Sequence, residues 1–355
     1  MSKIKKVDII SINTLLCQVI EGYEYYHYSF NYSTMKRFLE PEIEFIDRQS
    51  LAKELIEGII INHGKKDILK SIVKLADFEQ KAQELKPELR DHVVHALLCY
   101  VFGAYIYESF LKPSGIIIND IQWKIACLFH DIGYPVEVAN EIGIKYSKTV
   151  NSISNNIGFP VDEVYFKTVP INFEKLQNNK NSFDLIQKNL DSWGLKINAK
   201  QEYDKNIDSG RVCHGMISSL SVLRIIDILY QKNNPERIFE EKIVDGVDWN
   251  QRWFIEDIIP ACSAIFCHNL PPECFKESKI NRHNAPLAFL LRVTDCLQEW
   301  ERPSKENPEG YLSTKFNLSI DDEKLILFAD IPLERKFKIN SELQAALIAE
   351  DIVIQ

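Results

Sequence analysis

Short-spaced cysteine pairs are missing: the eight cysteines include no C-x-x-C, which removes the usual ligand pattern of a structural zinc knot. Most lie inside apolar helical patterns such as WKIACLFH and CSAIFCH, so reduced, buried thiols are expected. Missing too is any run of about 18 uninterrupted apolar residues, the length a membrane helix needs. The opening MSKIKKVDIISINTLLCQ is broken by Ser11, Asn13 and Thr14 and precedes no small-residue cleavage site. No signal peptide is expected, and the chain reads as soluble and cytoplasmic. Positive charge is in deficit: 42 Lys and Arg against 51 Asp and Glu give a formal net charge of -9. That field repels phosphodiester polymers, so bulk nucleic acid is not an expected partner, while a local basic pocket can still take a small anion. GIIINHGKK has the wrong glycine spacing for a phosphate loop and lacks its Ser/Thr, and there is neither a repeat of fixed period nor a Ser-His-Asp motif.

Present instead are 355 residues, 45% of them hydrophobic, ample for a sizeable core. The apolar spacing is helical in HVVHALLCYVFGAYIYESFL, DIQWKIACLFHDIG, SGRVCHGMISSLSVLRIIDILYQ, RWFIEDIIPACSAIFCHNL and APLAFLLRVTDCLQEW. The expected fold is therefore mainly α, a helical bundle over 90–302. Before it, 1–89 reads as a helical N-terminal layer whose aromatic run YEYYHYSFNY (Tyr23 to Tyr32) packs between helices or against a second copy in a homo-oligomer. An Asn- and Lys-rich insertion from about 140 to 206 reads as mobile loops with one or two helices, placed to cover a site. Within 303–355, two apolar runs flanking Asp-Asp-Glu in STKFNLSIDDEKLILFADIPL spell a small C-terminal β-hairpin.

Five of the eight histidines fall in the helical core: His92, His95, His130, His214 and His268. Asp131 follows His130 directly, and Gly133 and Pro135 end the helix there, so both side chains sit at its C-terminal mouth and can converge on one ion. Imidazole with carboxylate suits Mn, Fe, Zn, Ni or Mg. Further ligands have to come from other helices, and RDHVVHALLCY, RVCHGMISSL, AIFCHNLPP and LLRVTDCLQEW each offer one in an inward-looking context. Asp295 stands among Leu290, Leu291, Val293 and Leu297, where a bare charge is costly; either a cation compensates it or an arginine such as Arg292 pairs with it.

The order His95, His130-Asp131, Asp295, all on helices, resembles the H…HD…D signature of the HD superfamily of metal-dependent phosphohydrolases, and RDHVVHALLCY, CLFHDIG and PLAFLLRVTDCLQEW resemble its ligand helices. The resemblance runs from about 90 to 302 and implies an HD-domain-like bundle. It further implies that His95, His130, Asp131 and Asp295 hold one divalent ion. His214 and His268 match the extra histidines of dinuclear members, in which Asp131 would bridge two ions. His130 and Asp131 would be the catalytic pair. His92, one turn from His95, is the rival first ligand, a supporting residue or a substrate contact. Gly133-Tyr134-Pro135 spells GYP inside the HD run, whereas the cyclic-di-GMP phosphodiesterases named for those letters carry it later, with Lys where Tyr134 stands. The implied chemistry is hydrolysis of a phosphoester or phosphoanhydride, with a small phosphorylated substrate, a nucleotide, as partner. Lys124, Arg211, Arg292 and Arg302 are the candidate phosphate contacts, each equally able to be solvated or ion-paired. Two rivals share the ligand set: a di-iron oxygenase of HD type, and a non-catalytic regulatory or scaffold module whose helices a metal staples.

Overall fold

In the computed structural model the described residues are 10–11, 16–17, 21, 31–40, 43–61, 73–74, 77–78, 81, 91–157, 172–176, 180–233, 242–244, 247–249, 251–298, 315–321, 324–329, 332–348 and 352–354. A short strand β1 (Ile10–Ser11) leads to helices α1 (Tyr32–Phe38) and α2 (Phe45–Ile61). Most of the aromatic run, Arg302 and the segment 158–171 lie outside the described residues.

The centre is α3 (His92–Ile106), extended by a π-helical turn, Tyr107–Leu111. Asp91 caps it, its carboxylate accepting from the Val94 backbone N–H at 2.8 Å. The continuous helix His92–Leu111 is long and apolar enough to cross a membrane, yet 78% of its apolar window is buried by the rest of the fold. Helix α4 (Asp120–Phe129) follows, opened by a box in which the Gln122 side chain accepts the Asn119 backbone N–H at 3.3 Å. It stops at His130, and the turn through Asp131 and Gly133 feeds α5 (Tyr134–Ile157), with Pro135 tolerated in its first turn.

The Asn-rich stretch departs from expectation here. Where loops were expected from about 140, α5 simply continues to Ile157, because SISNN lies in the tail of an amphipathic helix begun at Tyr134. Helices α6 (Ser182–Ser192) and α7 (Ala199–Asp208) follow in the same stretch, where one or two helices were expected. Then come α8 (His214–Asn233), a two-stranded hairpin of β2 (Lys242–Val244) and β3 (Val247–Trp249), α9 (Ile259–His268) entered through a π-helical turn at Phe254–Ile258, and α10 (Pro286–Gln298). Helix α9 packs on α4, α6, α8 and α10, and α3 packs on α2, α4 and α10. One contiguous apolar core joins them.

The expected hairpin is β4 (Lys315–Asp321) with β5 (Lys324–Ala329), paired from Asp321↔Lys324 to Phe316↔Ala329. It is the middle of a four-stranded sheet: β1 adds antiparallel to β4, and β6 (Ile352–Ile354) adds parallel to β5. Between β5 and β6, helix α11 (Leu333–Ala346) buries Ile339, Leu343 and Ala346 and packs on α10. The fold is mainly α with this small sheet at its edge.

Candidate metal centre

His130 caps the C-terminus of α4, and its Nδ1 donates to the Cys127 carbonyl at 2.8 Å. His268 ends α9 in the same way, its Nδ1 donating to the Ile265 carbonyl at 2.6 Å. His214 opens α8, and its Nδ1 lies 2.8 Å from Glu137 Oε2. An acceptor on Nδ1 fixes the tautomer, so each of these rings, when neutral, turns an Nε2 lone pair inward.

Those lone pairs meet carboxylate oxygen. Asp131 Oδ2 lies 3.3 Å from His130 Nε2 and 3.8 Å from His95 Nε2. Asp295 Oδ1 lies 3.0 Å from His95 Nε2 and 3.8 Å from His130 Nε2, and the two ring nitrogens are 3.2 Å apart. On the other side, Asp131 Oδ1 faces His214 Nε2 at 3.3 Å and His268 Nε2 at 3.7 Å. Donors about 2.1 Å from one ion stand roughly 3.0 Å apart at right angles and roughly 3.4 Å apart at tetrahedral angles. The contacts at 3.0, 3.2 and 3.3 Å fall in that range, and those at 3.7 and 3.8 Å correspond to wider angles at the ion. His268 Nε2 is buried without a hydrogen-bond partner, a state that costs free energy unless a cation or proton arrives. The buried His/Asp groups fit a metal ion, and Asp131 presents one oxygen to each of two donor groups.

Without an ion, protons take up the strain. Burial would push the Asp131 carboxyl up, but His130, His214 and His268 outweigh it and hold the group well below the carboxylate range. Asp295 is likewise lowered against the effect of burial, chiefly by His95 and His130. Burial alone would lower His214, yet Asp131 and Glu137 raise it well above an ordinary histidine, and Asp131 raises His130. For His268 burial prevails and the value falls.

The structure thus brings together His95, His130, Asp131, His214, His268 and Asp295 from α3, the α4 end, α8, α9 and α10. The ring of His92, one turn before His95, stacks on Tyr134 with centroids 3.7 Å apart. Tyr134 in turn sets its ring edge-on to His214, centroids 5.9 Å apart. Lys124 pairs with Asp120 at 2.7 Å. Arg292 donates to the carbonyls of His268 and Leu270, capping α9, so Asp295 faces imidazoles rather than that arginine. Arg211 lines a cleft of about 280 Å³ beside His214, with Glu137, Asn140 and Asn269 on its walls. His214 and Asp295, with side chains 17% and 14% exposed against 3% or less for the other donors, are where the centre meets solvent.

Two residues had no place in the sequence pattern. Cys99 lies one turn after His95, with Sγ 3.5 Å from His95 Nε2, in a buried group with His95 and His130. Its i+4 spacing was the available signal. Glu137 had none, because α5 and α8 meet only in the fold.

These features define a class: a mainly α protein with a buried histidine–carboxylate cluster able to hold metal. Comparison with protein-family models, curated proteins and solved structures gives no match.

Proposed function

We propose that the chain is a metal-dependent phosphohydrolase of the HD type, acting on a phosphoester or phosphoanhydride of a small nucleotide. One observation carries this reading: a single buried carboxylate, Asp131, stands between two groups of imidazoles whose lone pairs are held inward. The histidine-rich donors favour Mn, Fe, Ni or Zn over Mg. An ion bound there supplies a Lewis acid that brings a water toward neutral pKa and screens charge on phosphate oxygens. His95, His130, Asp131 and Asp295 would hold one ion, and Asp131, His214 and His268 a second. The solvent-facing edge at His214 and Asp295 admits substrate. Arg211 is placed on the neighbouring cleft to meet an anionic group, and the carboxylates there disfavour long polyphosphates.

The test is a nucleotide panel incubated with protein reconstituted with Mn or Fe, following release of phosphate or nucleoside. The proposal expects turnover that chelation abolishes and Asp295→Ala eliminates. A di-iron oxygenase draws on the same shared carboxylate; oxygen consumption by the Fe(II) form with no phosphate release under any metal decides for it. Tight metal binding without either activity decides for a metal-stapled scaffold.

A further inference from the structure

Glu137 contacts His214 twice with a single atom. Its Oε2 accepts the His214 backbone N–H at 2.7 Å and lies 2.8 Å from the ring Nδ1. The first contact satisfies one of the free N–H groups at the start of α8, where a negative charge is also favoured by the helix dipole. The second assigns the ring proton to Nδ1, since a carboxylate at that distance only accepts. Asn269 approaches the same nitrogen from the α9 side, at 3.2 Å, and with Nδ1 protonated its amide oxygen is the end that belongs there. Backbone and ring of His214 are therefore tied to one oxygen, leaving χ1 and χ2 little freedom and Nε2 aimed at Asp131 Oδ1.

The contact is reinforced one turn away. The Gly133 N–H donates to the buried Ser218 hydroxyl at 2.8 Å, so residues 133 and 137 on one strip meet 218 and 214 on the other. The HD turn and the start of α8 are held in register by two polar links, one of which ends on a candidate ligand.

We infer that Glu137 is a positioning residue for the second ion, fixing His214 in tautomer and direction without itself touching metal. The inference rests on the two-ion reading of Asp131. It adds behind the ligand set a carboxylate on α5 that makes His214 a stronger donor, as hydrogen-bonded carboxylates do for metal-bound imidazoles generally.

Titrating metal-free full-length protein with Mn or Zn by calorimetry tests it. Wild type is expected to take up ions at two positions. Glu137→Ala should weaken one of them about 10–100-fold and leave the other unchanged. Glu137→Gln, which keeps an acceptor oxygen but not the charge, should recover part of the loss. In a His214→Ala background, adding Glu137→Ala should cost nothing more, whereas a purely structural glutamate would give additive losses. If the alanine variant does not fold, the glutamine variant and its cycle with His214→Ala carry the test. Two unchanged positions in the glutamate variants, or additive losses, overturn the inference alone. Fewer than two positions in wild type overturn it together with the two-ion reading.

Discussion

His268→Ala and Asp295→Ala remove donors from opposite oxygens of Asp131, so they are expected to differ. His268→Ala should lose the ion on the Oδ1 side and keep the other; metal titration reads this, and loss of both ions or of neither contradicts it. The residue scale also sets a pH dependence. In the metal-free protein the neighbouring carboxylates outweigh burial and raise His214 and His130, so a metal competes with protons at these rings. Uptake should release protons and strengthen as pH rises through those raised values, measurable by calorimetry in two buffers of different ionisation heat. Metal-free stability should run the other way. A raised histidine contributes fully below its unfolded value of about 6.5 and loses that contribution as pH climbs through the folded one. The lowered Asp131 and Asp295 contribute fully above about 3.9 and lose it as pH falls through their depressed values. Burial-lowered His268 works in the opposite sense to the raised histidines, losing its contribution as pH falls below about 6.5, so the metal-free melting temperature should peak near pH 6.5 and drop on both sides; a melting temperature still rising well above that point contradicts the assigned pairings.

At the scale of elements, the centre depends on how closely α8 can approach α5 and α9. A Cβ on Gly215 would stand 2.8 Å from His268 Cε1, and one on Gly133 would stand 2.5 Å from the His214 carbonyl oxygen. Gly215→Ala should push His268 aside, at a cost of about 1–3 kcal/mol by chemical denaturation, and weaken the Oδ1-side ion selectively. Unaltered stability and binding would mean the helices are not packed as described. Much of this level was legible in the sequence. The α4 stop at His130 followed from Gly133 and Pro135, and the inward faces of α3, α8, α9 and α10 followed from apolar spacing. The course of α5 was not legible, because Asn and Ser are read as loop formers while the helix that contains them is decided by its buried face further back. The sheet was half legible: the β4–β5 hairpin has local pairing, whereas β1 and β6 join from distant parts of the chain.

For the whole molecule, six ligand candidates scattered from His95 to Asp295 converge because the bundle folds four helices and one helix end around one carboxylate. Their order could be read from the chain, and the resemblance implied Asp131 as the shared carboxylate; which oxygen faces which histidines could not be read, since it depends on side-chain rotation. Glu137 escaped because it neighbours His214 only in space, whereas Cys99, one turn after His95, carried an i+4 signal that went unused. The most direct test of the account is the transition-metal content of the purified, reconstituted protein and of its Asp131→Ala variant, by elemental analysis after removal of loose ions. The account predicts about two ions per chain in the wild type and none retained tightly in the variant. A wild type that holds no metal, or a variant that holds as much as the wild type, contradicts it.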